Sequence, residues 1–202
     1  MSIVNMLMQS LGDDAVQQLG SQIGADSQAT RTAIQGAVPM LLGAMAKNAG
    51  SQQGAQSLLS ALDRDHDGSI LDDVAGFVGQ GGDGGGAGAG ILRHVLGGQQ
   101  GAVEQGLAQV SGLNGGQAGQ LMSMLAPMVM GAIGRQKTAA GVGADQLGAL
   151  LTGEANQARQ AAPNAAMGML AGFLDQDGDG SVVDDLAQMG GKLLGNFLGG
   201  KR

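Results

Sequence analysis

The chain has 202 residues, with 40 glycines, 12 methionines, three phenylalanines and neither tryptophan nor tyrosine, so its core has to be built from Leu, Ile, Val, Met and Ala instead of large rings. A net charge of −7 with only 10 Lys and Arg and no basic stripe lacks the footprint of nucleic-acid binding, and the absence of cysteine excludes disulfides, thiol catalysis and cysteine zinc sites. The first residues carry no basic region followed by a long apolar run, and no apolar stretch approaches the ~20 residues that span a bilayer, so the expectation is a soluble cytoplasmic protein.

Taken in order, residues 3–11 place Ile3, Met6, Leu7 and Leu11 on a short helix, and Val16, Leu19 and Ile23 continue on a second. Gly24 stops it, and Asp26 is a good N-cap for a long helix over about 27–47 with an apolar face of Ile34, Val38, Leu41, Leu42 and Met45. Pro39 lies inside that pattern and predicts a kink or a break near residue 38. After Gly50-Ser51, Leu58, Leu59 and Leu62 mark another helix, and a last one is expected from Ser69 to about Val78.

The run Gly79–Gly90 reads as a flexible linker. On either side of it the chain is similar to itself. Ala37-Val38-Pro39-Met40 matches Leu125-Ala126-Pro127-Met128 at an offset of 88, which places Asn114, another N-cap type, at the position of Asp26. Residues near 145–165, including Leu147, Leu150 and Leu151, read as an insertion of one or two helices. No alternation rich in β-branched residues occurs, so no sheet is expected. The expected architecture is all-α, with two related multi-helix units: a first repeat over 1–78, a linker over 79–90 and a second repeat over 91–202.

Each repeat ends in an acidic segment. Asp63-Arg64-Asp65-His66-Asp67-Gly68-Ser69-Ile70-Leu71-Asp72-Asp73 returns as Asp175-Gln176-Asp177-Gly178-Asp179-Gly180-Ser181-Val182-Val183-Asp184-Asp185. Calcium takes six to eight oxygens, and a helix-loop-helix supplies them from acids at loop positions 1, 3 and 5, a glycine at 6 and a carbonyl at 7. Asp63, Asp65, Asp67 and the carbonyl of Ser69 fill that pattern, as do Asp175, Asp177, Asp179 and the carbonyl of Ser181. The acid of position 12 is missing, since Val74 and Leu186 stand there. Asp73 and Asp185 are the candidate closing ligands of a loop that is one residue short or incomplete. Asp72 and Asp184 fit a Ser-x-x-Asp helix cap first. A solvated acidic turn, or a site for magnesium or manganese, is the competing reading; Ca2+ leads because three alternating aspartates and a glycine occur twice in a chain only 13% charged.

No nucleophile elbow, phosphate loop or His-x-x-x-His zinc motif is present, so the chain is read as no enzyme. His94 has no acidic or nucleophilic neighbour in sequence and reads as a capping or packing residue; His66, at loop position 4, is given no role. The methionines gather on the two proline helices, as filler of a core or, less commonly, as an adaptable binding face.

The Leu-Asp-x-Asp-x-Asp-Gly-Ser-x-x-Asp-Asp segments, the Pro-Met-x-x-Gly-Ala helices and Ile91-Leu92-Arg93-His94-Val95-Leu96-Gly97-Gly98 together resemble the bacterial family catalogued as domain of unknown function 937, which includes the YidB-like proteins. The acidic loops are in addition similar to EF-hand and dockerin loops. The family resemblance implies an all-α bacterial protein and assigns no activity. The leading functional expectation is a calcium-binding structural or interaction protein in which the ion orders helix pairs for self-association or a protein partner. The alternatives are peripheral membrane association through helices near 1–11 and 186–199, against which the scarcity of basic and aromatic residues weighs, and, last, an enzyme of hydrolase type using calcium or the His94 region.

Overall fold

In the computed structural model the described residues are 2–65, 67–82 and 86–161, all but a few of them with their side chains. They fall within one unit, Met1–Pro163. His66 and the whole second acidic segment, with Asp175, Asp177, Asp179, Ser181 and Asp185, lie outside them. The described elements are helical, with no strand among them, and none of those helices is long and apolar enough to cross a membrane.

Helix α1 (Ile3–Ile23) begins at Ser2, whose hydroxyl accepts from the Asn5 amide at 3.3 Å. It is two helical pieces joined at Gly12, where φ is 51° and ψ 177°. Only glycine adopts that backbone without strain, and the break falls between the two apolar groups that the sequence separates. Ile3, Leu7 and Leu11 from the first piece and Val16, Leu19 and Ile23 from the second are all buried. Ile3, Leu7 and Leu11 of the face expected over residues 3–11 thus belong to the core, and Met6 is half-exposed.

Helix α2 (Ser27–Asn48) is capped by Asp26, whose Oδ1 accepts from Ala29 N at 2.8 Å. The break expected at Pro39 does not occur. Proline removes one donor to the Gln35 carbonyl, but every residue from Gly36 to Met45 is buried. Packing against α1, α6, α7 and α8 surrounds both halves of the helix. Helix α3 (Gln52–Asp65) leads into a 3₁₀ turn (Ser69–Leu71) and the short helix α4 (Val74–Gly79). The helix expected from Ser69 thus starts five residues later.

Helix α5 (Ala87–Leu96) starts inside the stretch that reads as linker by composition, and a 3₁₀ turn leads from it to α6 (Gln100–Ser111). Helix α7 (Gly115–Ala140) opens with a reciprocal capping box: Asn114 Oδ1 accepts from Gln117 N and Gln117 Oε1 accepts from Asn114 N, both at 2.9 Å. It carries Pro127 unbroken, as α2 carries Pro39. Helix α8 (Ala144–Ala161) spans most of the expected insertion and buries Leu147 and Leu151.

The two proline helices form the centre. Residues 36–45 of α2 and 124–134 of α7 are buried without interruption. Helix α1 packs on both α2 and α7, and α6 does the same. Chain from before and after the glycine-rich stretch therefore shares one core. The described core is free of aromatic rings: its largest fully buried side chains are Leu, Ile and Met, each worth about 1.5–3 kcal/mol when taken from water.

Candidate functional site: an acidic turn docked on a proline helix

The first acidic segment hangs between α3 and α4. The α3 backbone stays helical through Asp65, and positions two apart on a helix do not face one another. Positions 63 and 65 consequently fall on different sides of its last turn. Asp67 Oδ1 accepts from Ser69 N at 3.0 Å. The Ser69 backbone N–H, with its hydroxyl second, holds the Asp67 carboxyl below the usual aspartate range, since both bonds favour the charged form. Gly68 takes a φ of 98° and starts the 3₁₀ turn, in which Asp72 N donates to Ser69 O at 3.0 Å. The Ser69 carbonyl, a candidate metal ligand by sequence, is thus engaged within the turn. Asp73 caps α4, its Oδ1 accepting from Gly76 N at 2.8 Å.

The capping role expected of Asp72 therefore belongs to Asp73. The cause is the delay of the helix start: once Ser69–Leu71 is spent on a 3₁₀ turn, the residue before Val74 is the one whose side chain reaches the free amides. Asp72 instead turns to α7.

Two cations on α7 receive the turn. Arg135 Nη2 donates to the Gly68 carbonyl at 2.7 Å and to Asp72 Oδ1 at 2.6 Å. Lys137 Nζ donates to Asp63 Oδ1. Backbone contact accompanies the charge. A Cβ on Gly68 would lie 2.9 Å from Arg135 Cβ and 3.0 Å from the Gly131 carbonyl, and one on Gly131 would lie 2.5 Å from Ile70 Cγ2. Turn and helix are in van der Waals contact because both positions lack side chains. Beside the turn, Ser69, Ile70, Asp73, Phe77 and Gln80 line a shallow groove.

The donor set is oxygen-only, the chemistry a hard cation such as calcium requires. The described arrangement does not gather it: no group of three or more Asp, Glu, His or Cys among the described residues is placed to hold a metal ion. Asp63 faces Lys137, Asp67 its own turn and Asp73 the amides of α4. An ion at Asp63 meets a carboxylate that Lys137 already engages.

A second carboxylate, which the sequence did not single out, sits at the other side of α7. Glu154 of α8 is only 7% exposed. Its Oε2 accepts from the Ile3 amide at 2.6 Å, and its Oε1 accepts from Gln136 Nε2 at 2.8 Å. It supplies both a partner for a free N–H and a favourable charge at the N-terminus of α1. The Gln136 side-chain oxygen, Oε1, is buried without a hydrogen-bond partner.

Arg135 and Lys137 were also missed by sequence. The available signal was two cations within three residues, at the end of an apolar helix, in a chain that has 10. His94 is exposed in the last turn of α5 beside Arg93, not packed in the core; its carbonyl accepts from Asn48 Nδ2 at 3.3 Å.

The family model described as Bacterial protein of unknown function (DUF937) matches residues 5–136, from α1 through most of α7 and including the first acidic turn. No curated protein and no solved structure matches the chain.

Proposed function

The chain belongs to this bacterial family of unknown function, and we propose that it is a non-enzymatic, calcium-responsive structural or interaction protein. In this reading it is built of two related helical units. Ca2+ at Asp63, Asp65, Asp67, Ser69 and Asp73, and at Asp175, Asp177, Asp179, Ser181 and Asp185, orders the flanking helix pairs for self-association or a protein partner.

One observation carries the reading. The first acidic segment is the connection between α3 and α4, and it lies against α7, a central helix of the core. Any ion that gathers its carboxylates changes how α3 and α4 sit on that helix. Like charges so close in sequence also repel one another unless a cation intervenes, and two protein cations already do so here. The apolar side chains Ile70 and Phe77, half-exposed beside the turn, are the surface that such a change would present.

Thermal melts followed by far-ultraviolet circular dichroism test this, since the chain has no Trp or Tyr for fluorescence. An ion bound only to the folded form at 100 times its dissociation constant adds about 2.7 kcal/mol per site. The expected result is a clear rise of the melting temperature with calcium and little or none with equal magnesium. Superimposable curves with calcium and with chelator overturn the reading.

A further inference from the structure

We propose that Arg135 and Lys137 form a strap of tethered cations that holds the Asp63–Asp73 turn on α7, so that docking of the turn and occupation by a divalent ion exclude one another. The strap is read from contacts; its competition with an ion rests on the calcium reading above.

The two cations reach different parts of the turn. Lys137, 17% exposed, meets Asp63 where α3 ends, and Arg135 spans the Gly68 carbonyl and Asp72 in its middle. Neither partner is deeply buried: the Asp63 and Asp72 side chains are 55% and 71% exposed. Exposed pairs of this kind are weak and screened by salt. The steric fit of Gly68 and Ile70 on Gly131 sets where the turn docks. The cations set whether it stays there. Asp63 is the first ligand of the calcium pattern, and a divalent ion and the Lys137 ammonium repel each other strongly at a shared carboxylate. The ion can enter only when Lys137 leaves, and departure of Lys137 removes one of the strap's two anchors. Loading would therefore loosen the turn from α7 and shift α3 and α4, whereas the metal-free protein keeps them held.

The full chain and its Lys137→Met and Arg135→Met variants decide this, because methionine keeps the apolar stem that packs on the helix. Hydrogen exchange is followed at Leu71 and Asp72, whose amides are bonded within the turn, in chelator, at low and at 1 M salt. Calcium affinity is measured by equilibrium dialysis. The strap requires exchange several-fold faster in each variant and in wild type at high salt; exchange unchanged in both variants overturns it. Competition requires Lys137→Met to bind calcium about threefold or more tightly, the factor that loss of one weak ion pair allows. Equal or weaker binding by that variant overturns the competition even where exchange responds. Absence of calcium binding by every form overturns the proposed function and the competition together, and the exchange rates still decide the strap.

Discussion

Three consecutive residues of α7 meet carboxylates in two different ways. Gln136 reaches Glu154, a buried acid that also takes the first amide of α1, while Arg135 and Lys137 on either side reach the exposed aspartates of the acidic turn. The buried acid joins α1, α7 and α8. Removing it strands an amide donor and a carboxamide in the interior of the fold. The exposed acids are bonded by full charges, yet water and salt compete for every one of them. Net charge is thus a poor guide to which contact matters for stability. Burial decides it, and the exposed region is the one left free to respond to conditions.

The largest effect expected from this contrast is that of Glu154→Ala. It should destabilise the protein by about 2–3 kcal/mol, the range for a buried charge-assisted hydrogen bond together with a stranded partner. Chemical denaturation measures this, and a loss under about 0.5 kcal/mol would remove the contrast altogether. Gly68→Ala comes next. It forces a side chain into a φ of 98° and against Arg135 and the Gly131 carbonyl, for about 1–3 kcal/mol; the loss should come with faster amide exchange confined to the turn. Lys137→Met should cost under about 1 kcal/mol at low salt and nothing measurable at 1 M. A cost that survives high salt would place that pair with Glu154 instead.

The smallest effect is a titration. The folded-state pKa of Asp67 is depressed, so its bond to the Ser69 amide contributes fully above the unfolded aspartate value of about 3.9. It is lost as pH falls through the lower folded value. The Ser69 amide shift in nuclear magnetic resonance should follow that midpoint, below those of exposed aspartates. A midpoint at or above the ordinary value would contradict the turn geometry.

Much of the helical framework was legible in the sequence because local chemistry sets it. Asp26 and Asn114 are short polar side chains before apolar periodicity, and both cap. Gly24 ends α1 with a φ of 70°, and Gly12 divides it where the apolar pattern restarts. The apolar faces named for α2 and α3 are buried, with Leu58 and Leu62 turned inward and Leu59 half-exposed. Each of these depends on residues within about one helical turn of one another.

What failed to be legible depends on partners far along the chain. Pro39 predicts a kink or a break by itself, and with the core packed around it α2 stays continuous. Composition ends the linker at Gly90, whereas α5 already starts at Ala87 and buries Leu92 and Leu96 against α7 and α2. The capping role read for Asp72 passes to Asp73, because Arg135, 63 residues away, draws Asp72 to α7 while the 3₁₀ turn moves the helix start to Val74. The Glu154 bond to the α1 amide joins positions 151 apart. By itself the sequence determined the helical nature of the described residues, the caps at Asp26 and Asn114, the stop at Gly24 and an acidic segment of oxygen donors. Only the tertiary structure decided that those donors face lysine, arginine and backbone amides, because a side chain's partner is chosen by which distant helix packs beside it, and spacing along one chain carries no record of that choice.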